Sequence, residues 1–261
     1  MNHPTTAIVG SGNLARALVE RLKEAEWPIQ WICSRNRDSG SRLAKSCGAA
    51  FYAPDQIPAD AGVTLLLLCV PDDQIGSCAS LFRGYAETLV HMAGSVDISE
   101  LGTEHAAVLW PVMTFTRNST VDWSHVPLLW EAASEKSKVG ILALADTLGG
   151  EKTKVNSENR HRMHLAAVFA NNFTNACIAA AQELAKQAKC SPDLLDTLIL
   201  QTFMNAITGP ALLQQTGPAR RGDKGTIASH LAMLQHHPSM IEAYRALSAL
   251  IENQSKKSGK K

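Results

Sequence analysis

The amino-acid sequence predicts an α/β domain with a doubly wound parallel sheet, followed by a domain built only of helices. Short apolar runs alternate with helical patterns from Thr5 to about Gly150, as strands and crossover helices do in such sheets. Residues 63–70 are almost entirely aliphatic, which indicates a strand covered on both faces. No strand pattern follows Gly150, so we expect domains over residues 1–152 and 153–261.

The strands are predicted from short apolar runs that turn residues or helical patterns separate. They lie at residues 7–9, 29–34, 49–52, 63–70, 89–92, 107–110 and 127–129. Leu14, Leu18 and Leu22 recur at the spacing of one helix face, so a helix follows the first strand. A polar helix over residues 39–46 follows the second strand.

The second half is predicted to be helical because its apolar residues follow helical spacing. Residues 158–189 contain no convincing helix breaker and are apolar around much of the helix, so other helices are expected to surround this one. Further helices are predicted over residues 194–207, 227–234 and 241–251. The lysines that follow, Lys256, Lys257, Lys260 and Lys261, are expected to form a solvated tail.

The composition is that of an ordinary globular protein. Hydrophobic residues make up 45% and charged residues 19%, and the net charge of +1 gives no electrostatic reason to expect a nucleic-acid partner. No apolar run is long enough to span a membrane, and residues 1–6 do not form a signal peptide. The six cysteines are scattered without a C-x-x-C pair, so a cytoplasmic location is expected.

A glycine-rich turn follows the first predicted strand. It reads Gly10-Ser11-Gly12-Asn13-Leu14-Ala15, a G-x-G-x-x-A pattern between a strand and a helix. The first glycine allows the tight turn, the second lets a pyrophosphate approach the backbone, and the alanine lets the helix pack closely. The free N–H groups of the helix N-terminus would bind phosphate. We therefore predict a dinucleotide site here; the alternative is a glycine turn that binds nothing.

The end of the second strand indicates which dinucleotide binds. An NAD site carries Asp or Glu about 20 residues after the glycines, where it accepts a hydrogen bond from the ribose 2′-OH. Here the strand ends in Ser34-Arg35-Asn36, with no acid at its tip. Arg35 suits a 2′-phosphate and stacking on adenine, whereas a carboxylate would repel the phosphate. The sequence therefore favours NADP, unless Arg35 is simply a surface residue.

Two further segments are expected beside the cofactor. In open α/β sheets the ligand lies beyond the carboxyl ends of the strands. This rule nominates Cys69, Val70 and Pro71 after the fourth strand, and Gly94 after the fifth. With the glycine turn and the end of the second strand, these residues complete the predicted cofactor site.

With these features the sequence resembles the superfamily of 6-phosphogluconate dehydrogenase and pyrroline-5-carboxylate reductase. Within it, the sequence is similar to a group of NADP oxidoreductases that carry a second domain of unknown function. The supporting motifs are HMAGS at residues 91–95, WPVMTF at 110–115, AVFANNF at 167–173 and TGPARRGD at 216–223. The resemblance implies a Rossmann-type domain, a helical domain like the C-terminal one of 6-phosphogluconate dehydrogenase, a homodimer formed through the helical domains, and a site in the cleft between the two domains.

Candidate catalytic residues lie on the long predicted helix. In the related β-hydroxyacid dehydrogenases this helix carries a lysine four residues before an asparagine, but here Ala167 and Val168 precede Asn171 and Asn172 by one turn. His164 lies two turns before Asn171 on roughly the same face, and an imidazole donates protons near neutral pH. We therefore name His164, Asn171 and Asn172 as catalytic candidates. A hydrogen-bonded histidine at the domain rim, and amides that cap a neighbouring loop, are the alternatives.

The segment at residues 216–223 is the candidate substrate site. Arg220 and Arg221 would bind a substrate carboxylate through paired hydrogen bonds, with Asp223 beside them. A structural loop held by an Arg–Asp pair is the alternative. The paired histidines of the sequence, at 161 and 164 and at 236 and 237, lack accompanying carboxylates, so no metal is expected.

The sequence therefore predicts an NADP(H)-dependent oxidoreductase that transfers a hydride to or from a small carbonyl or imine compound. The expected assembly is a homodimer, with no nucleic-acid or membrane partner. The missing lysine favours an alternative, an NADP(H)-binding sensor or regulatory protein without turnover, because a fold alone does not establish chemistry.

Overall fold

A mixed sheet forms the centre of the first part of the chain. The computed structural model describes residues 3–117 and 120–258, and in these ranges eight strands form one sheet in the order β3-β2-β1-β4-β5-β6-β7-β8. They are β1 (Thr6–Val9), β2 (Ile29–Cys33), β3 (Ala50–Tyr52), β4 (Val63–Leu68), β5 (Ala86–His91), β6 (Ala106–Pro111), β7 (Leu128–Ala132) and β8 (Lys152–Lys154). Strands β1 to β6 are parallel, β7 is antiparallel to β6, and β8 is parallel to β7.

Helices cover both faces of this sheet. They are α1 (Asn13–Glu24), α2 (Arg37–Cys47), α3 (Ile75–Phe82) and α4 (Glu135–Leu148). Neighbouring strand residues point to opposite faces, so Ile8 packs in one apolar cluster with α1, α2 and α4, while Ala7 and Val9 pack in another with α3. The predicted doubly wound Rossmann-type architecture is confirmed.

Two elements differ from the predicted ones. Strand β8 consists of Lys152, Thr153 and Lys154 with exposed side chains, so no apolar pattern indicates it, and its backbone is extended because it pairs with β7. The strand predicted over residues 63–70 ends at Leu68, which places Cys69 and Val70 beyond its carboxyl end.

The helix predicted over residues 158–189 is formed by three consecutive segments. They are α5 (Ser157–Ala167), a π-helical segment (Val168–Phe173) and α6 (Thr174–Gln187). The chain divides into two compact units between Phe169 and Ala170, inside the π-helical segment, whereas the predicted boundary lies near residue 152. The first unit includes α5 because its Arg160 is completely buried among residues of that unit.

The second unit is helical throughout its regular structure, as predicted. After α6 it contains α7 (Asp196–Thr208), α8 (Ala211–Gln214), α9 (Pro218–Arg221), α10 (Lys224–Met233) and α11 (Pro238–Ser258). The predicted solvated tail begins inside α11 at Lys256 and Lys257, and its last two lysines, Lys260 and Lys261, lie outside the described residues. Among the described residues from 170 onwards, the buried apolar side chains are those of Ala219 and Leu234.

Candidate functional site

A cavity of about 680 Å³ lies at the carboxyl ends of β1, β2 and β4. This size is typical of small-molecule sites. It lies beside the point where the strand order reverses, between β1 and β4, as expected for an open α/β sheet. Nine of the predicted cofactor residues line it: Gly10, Ser11, Gly12, Ser34, Arg35, Asn36, Cys69, Val70 and Pro71.

The two glycines of the turn have different structural roles. Gly10 has a φ of +119°, and a β-carbon there would lie 2.1 Å from the backbone oxygen of Cys69. It is therefore required for β1 and the segment after β4 to approach each other. A β-carbon on Gly12 would meet nothing within 4 Å, so the space in front of this glycine is open.

The N-terminus of α1 is available to an anion. Gly12 is its N-cap residue and, within the described chain, no side chain caps the helix. The first turn of a helix carries N–H groups without intrahelical partners, and they concentrate positive potential there. By contrast, the Asn36 side chain caps α2 by accepting a hydrogen bond from Ser39 N at 3.0 Å.

Arg35 is an exposed cation on the wall of the cavity. Among the described residues it forms no ion pair within 4 Å. Burial raises the pKa of Cys78, on α3, and the positive charge of Arg35 lowers it, so the guanidinium lies near the α3 side of the cavity. Its charge is therefore available to a ligand.

The thiols in the cavity wall are neutral. Burial raises the pKa of Cys33 to about 11 and that of Cys69 to about 12. Because a nucleophilic cysteine requires a lowered pKa, these thiols serve as small apolar surfaces.

Asn13, Leu14 and Gly94 are predicted cofactor residues that do not line this cavity. The Asn13 side chain donates to the Phe115 carbonyl oxygen at 3.0 Å, and Leu14 packs against the core. In the first turn of α1, both residues can offer a ligand their backbone N–H groups.

Several cavity residues are not predicted from the sequence. They are Pro54, which follows β3, and Gln74, Ser77, Cys78 and Leu81 from the segment that includes α3. A usable signal is present, because Ile75, Ala79 and Phe82 recur at helical spacing after Pro71 and are buried.

Gly94 belongs to a second group of residues at the carboxyl ends of β5 and β6. A β-carbon on Gly94 would lie 2.7 Å from Nδ1 of His164 and 2.7 Å from Cε2 of Trp110. The His164 and Trp110 rings meet edge to face, with centroids 5.6 Å apart. The structure thus brings together a predicted cofactor residue and a predicted catalytic residue, and adds Trp110 to them.

A buried network holds α5 in place beneath His164. Arg160 is fully buried and forms an ion pair with Glu131 on β7. It also donates to the backbone oxygen of Val96 at 2.6 Å and to Ser157 Oγ at 3.0 Å. Since His164 lies one turn after Arg160, these contacts position the imidazole.

His91 is part of the same region but is enclosed by protein. Its exposure is 0%, and its Nδ1 accepts from the Ala93 N–H at 3.2 Å. Burial, with a further contribution from the charge of Arg160, lowers the pKa of His91 from 6.5 to about 3. The imidazole is therefore neutral in the folded protein and supports the segment that leads to Gly94.

The remaining predicted site residues lie in the second unit. Asn171 and Asn172 are exposed and occupy the π-helical segment, a feature found frequently at functional sites. In the 216–223 segment, Arg220 donates to the Leu212 carbonyl oxygen at 3.2 Å. Asp223 caps α10, and hydrogen bonds from Thr226 hold the pKa of this carboxyl below its usual range.

Two family models match parts of the sequence. Residues 5–90 match the model described as NADP oxidoreductase, coenzyme F420-dependent, and residues 126–251 match a domain of unknown function, DUF2520. A solved structure from Bacteroides fragilis, classed as an NADP oxidoreductase, is 31% identical with a TM-score of 0.85, and the match covers 96% of this chain and 98% of that one. The chain belongs to this NADP oxidoreductase family.

Solved structures of lower identity share the fold of the oxidoreductase. A pyrroline-5-carboxylate reductase from Coxiella burnetii is 17% identical with a TM-score of 0.56, and the match covers 98% of both chains. A reductive aminase from Aspergillus terreus, solved with NADPH and ethyl-5-oxohexanoate, is 16% identical with a TM-score of 0.66; the match covers 98% of this chain and 95% of that one. No curated protein matches the sequence significantly.

The cavity of the oxidoreductase fits NADP, the cofactor of its family. The open space at Gly12 and the uncapped start of α1 suit a pyrophosphate. Arg35 has no carboxylate partner among the described residues. Its guanidinium therefore suits the phosphorylated end of the dinucleotide. These observations agree with the sequence-based choice of NADP.

Metal ions and membranes are two other classes of partner. The described residues contain no group of three or more His, Cys, Asp or Glu side chains placed to hold a metal ion. Among the described helices, none combines the length and the apolar character that a membrane span needs.

Proposed function

We propose that this oxidoreductase transfers a hydride between NADP(H) and the carbon of a small carbonyl or imine compound, with His164 as the proton donor. The observation that carries the proposal is the position of the His164 imidazole against Gly94 and Trp110, at the carboxyl ends of β5 and β6. Ligands of open parallel sheets lie at these strand ends. The reductive aminase of similar fold, which holds NADPH and a keto ester, supports the substrate class.

Each residue of this group has a distinct proposed task. Bound NADPH supplies the hydride, and His164 supplies the proton to the oxygen or nitrogen of the substrate. Gly94 leaves the space that the imidazole occupies, and Trp110 provides an apolar wall beside it. Arg160 and Glu131 act at a distance from the substrate, because their ion pair holds α5.

The second unit would contribute polar contacts to the substrate. Asn171 and Asn172 offer amides on an exposed helical segment. Arg221 would bind a substrate carboxylate, whereas Arg220 and Asp223 also have structural partners in Leu212 and Thr226. The location of the substrate between the two domains stays a prediction, as does the cytoplasmic setting.

The proposed assembly is a homodimer formed through the helical unit. Helix α7 exposes apolar side chains around its circumference, among them Leu198, Leu200 and Ile207, which are 65%, 64% and 79% exposed. Folded proteins rarely leave so large an apolar surface exposed to water. A second copy of the same chain can cover this surface of α7, and every solution of the protein contains one. Light scattering on Leu198→Asp/Ile207→Asp tests this: the double variant should be monomeric, and an unchanged mass would contradict the proposal.

The reaction is tested by NADPH oxidation with ketones, keto acids and cyclic imines as acceptors. The wild type should oxidise NADPH with at least one class, and His164→Asn should lower kcat by about 100-fold or more while NADP binding is retained. His125→Asn is the matched control, because His125 is a surface residue with 84% of its side chain exposed. Tight NADP binding without oxidation of NADPH in any reaction would contradict the proposal and favour the sensor alternative.

A further inference from the structure

A carboxylate and a hydroxyl group meet where the segments after β4 and β5 approach each other. Ser95, after β5, donates a hydrogen bond from its Oγ to Oδ2 of Asp72, after β4. Both residues are exposed, whereas Gly94, beside Ser95, is buried. The hydrogen bond therefore holds a carboxylate at the carboxyl ends of two parallel strands, where ligands of open α/β sheets bind.

The pair lies between the two groups of residues that the proposed reaction uses. Pro71, which precedes Asp72, lines the cofactor cavity. Gly94, which precedes Ser95, lies against the imidazole of His164. Consecutive Cα atoms are only about 3.8 Å apart. The Asp72 carboxylate is therefore a near neighbour both of the cofactor cavity and of the candidate proton donor.

The Asp72 carboxylate has no cation beside it. Over residues 3–117 and 120–258 it forms no ion pair within 4 Å, and the hydrogen bond that it accepts comes from an uncharged hydroxyl. An ionised carboxylate accepts several hydrogen bonds, so the one from Ser95 leaves most of its capacity unused. Asp72 therefore offers a negative charge to a ligand.

This charge distinguishes the two substrate classes that the proposed function includes. When a hydride adds to a ketone, negative charge develops on the oxygen, and a nearby carboxylate opposes it. An imine protonated on nitrogen is instead a cation, an iminium ion, and a nearby carboxylate attracts it. A negative side chain at this position thus favours the imine over the ketone.

We propose that Asp72, held in place by Ser95, selects an iminium ion as the substrate in preference to an uncharged ketone. The inference rests on the proposed function. The imine nitrogen takes the proton of His164, the carbon takes the hydride that bound NADPH supplies, and the second electron pair of the C=N bond moves to nitrogen. The products are an amine, NADP and a neutral His164. Asp72 stabilises the cation by its charge and transfers no proton.

The kinetic test compares three five-membered rings as acceptors for NADPH oxidation: the permanent cation 1-methyl-1-pyrrolinium, the imine 1-pyrroline and the ketone cyclopentanone. Asp72→Asn removes the charge but keeps an oxygen that accepts from Ser95. It should lower kcat/KM about 10-fold for the permanent cation and change it at most about twofold for cyclopentanone. Asp73→Asn is the matched control, because it removes the same charge from the next residue, which is also exposed.

A binding measurement tests Asp72 without turnover. Pyrrolidine is a cation at neutral pH and cannot be reduced, whereas cyclopentanol is an uncharged ring of the same size. Calorimetry on the NADPH complex should show pyrrolidine binding about 10-fold more weakly to Asp72→Asn than to the wild type, and cyclopentanol binding equally to both. Unchanged pyrrolidine binding would contradict the role of Asp72. Equal losses in Asp72→Asn and Asp73→Asn would also contradict it, because they would indicate a general negative potential.

Failure of this inference and failure of the proposed function give different results. Equal losses with the cation and the ketone, together with weaker NADPH binding, would assign Asp72 to the cofactor and overturn the inference. His164→Asn should lose activity with 1-pyrroline and retain it with 1-methyl-1-pyrrolinium, which needs no proton. Equal activity of this variant with the two rings would contradict the proton donor and leave Asp72 unaffected. Thermal melts confirm that each variant is folded.

Discussion

Nδ1 of His164 lies 2.7 Å from the position that a β-carbon on residue 94 would occupy. Gly94 follows β5, and His164 is on α5, so two segments far apart in sequence meet at this point. The imidazole occupies the space that any other residue at position 94 would fill. The position of the candidate proton donor therefore depends on a glycine in a loop.

Gly94→Ala should displace His164 and lower kcat by about 100-fold, because a shift of about 1 Å in a reacting group costs that much. NADP affinity should change little, since Gly94 does not line the cofactor cavity. Steady-state kinetics and calorimetry measure the two effects. Gly84→Ala is the matched control, because a β-carbon there would meet nothing within 4 Å. Full activity in Gly94→Ala would contradict a catalytic role for His164 in this position.

Arg160→Met should destabilise the protein by about 3–5 kcal/mol, because it leaves the carboxylate of Glu131, only 16% exposed, without its partner. Urea unfolding gives the free energy. Arg162→Met is the control on the same helix: its ion pair with Glu158 is exposed, so the loss should be at most about 1 kcal/mol. Equal losses in the two variants would show that the buried ion pair does not anchor α5.

The two glycines of the turn should respond differently to alanine. Gly10→Ala should impair folding, because its β-carbon would overlap the Cys69 backbone and its φ is positive. Gly12→Ala should fold normally and bind NADP at least about 10-fold more weakly, because its β-carbon would fill the space that a pyrophosphate needs. Thermal melts and calorimetry separate these outcomes, and normal NADP binding by Gly12→Ala would contradict the proposed path of the dinucleotide.

Arg35→Asp should shift binding from NADP towards NAD, on the order of 10- to 100-fold in the ratio of the two affinities. A carboxylate at this position would repel the 2′-phosphate and accept a hydrogen bond from a free ribose 2′-OH. Arg37→Asp makes the same change of charge at an exposed residue that does not line the cofactor cavity, so the ratio of the NADP and NAD affinities should change far less. An unchanged NADP affinity in Arg35→Asp would rule out a role for Arg35 in the choice between NADP and NAD.

Stability should fall in mild acid because of His91. The pKa of His91 is lowered to about 3 in the folded protein. Below about pH 6.5 its imidazole is therefore protonated in the unfolded chain but stays neutral in the folded chain. The contribution of neutral His91 to the free energy of unfolding is complete above pH 6.5. It is lost as the pH falls towards 3, by at most about 1.4 kcal/mol per pH unit. Urea unfolding between pH 7.5 and 4.5 measures the slope. His91→Gln should flatten it relative to the wild type, and an identical slope would contradict the assignment.

Much of the first unit could be predicted from local patterns. Strands β1 to β7 and the order of cofactor residues around Gly10 and Arg35 follow from apolar periodicity and from the special backbone freedom of glycine. Strand β8 could not be predicted, since its residues are polar and its extended shape depends on pairing with β7. Pairing of this kind is a long-range property that no short window of sequence contains.

The candidate site depended more on tertiary structure. His164 was a candidate from its residue type and helix position alone, whereas its contact with Gly94 and Trp110 follows from the packing of α5 through Arg160. Likewise, Ser39 belongs to a polar helix with no motif, and only the packing of α2 places its hydroxyl 2.7 Å from that of Ser11.

By itself, the sequence determined the alternation of strands and helices, the glycine turn and the absence of an acid at the end of β2, and hence a preference for NADP. These properties are local, because they depend on backbone freedom, side-chain period and the charge of a few consecutive residues. Tertiary structure alone decided which distant residues share a surface: Gly94 with His164, and Ser11 with Ser39. The physical reason is that such contacts arise when helices bury their apolar faces on the sheet, which brings together side chains that the chain itself keeps apart.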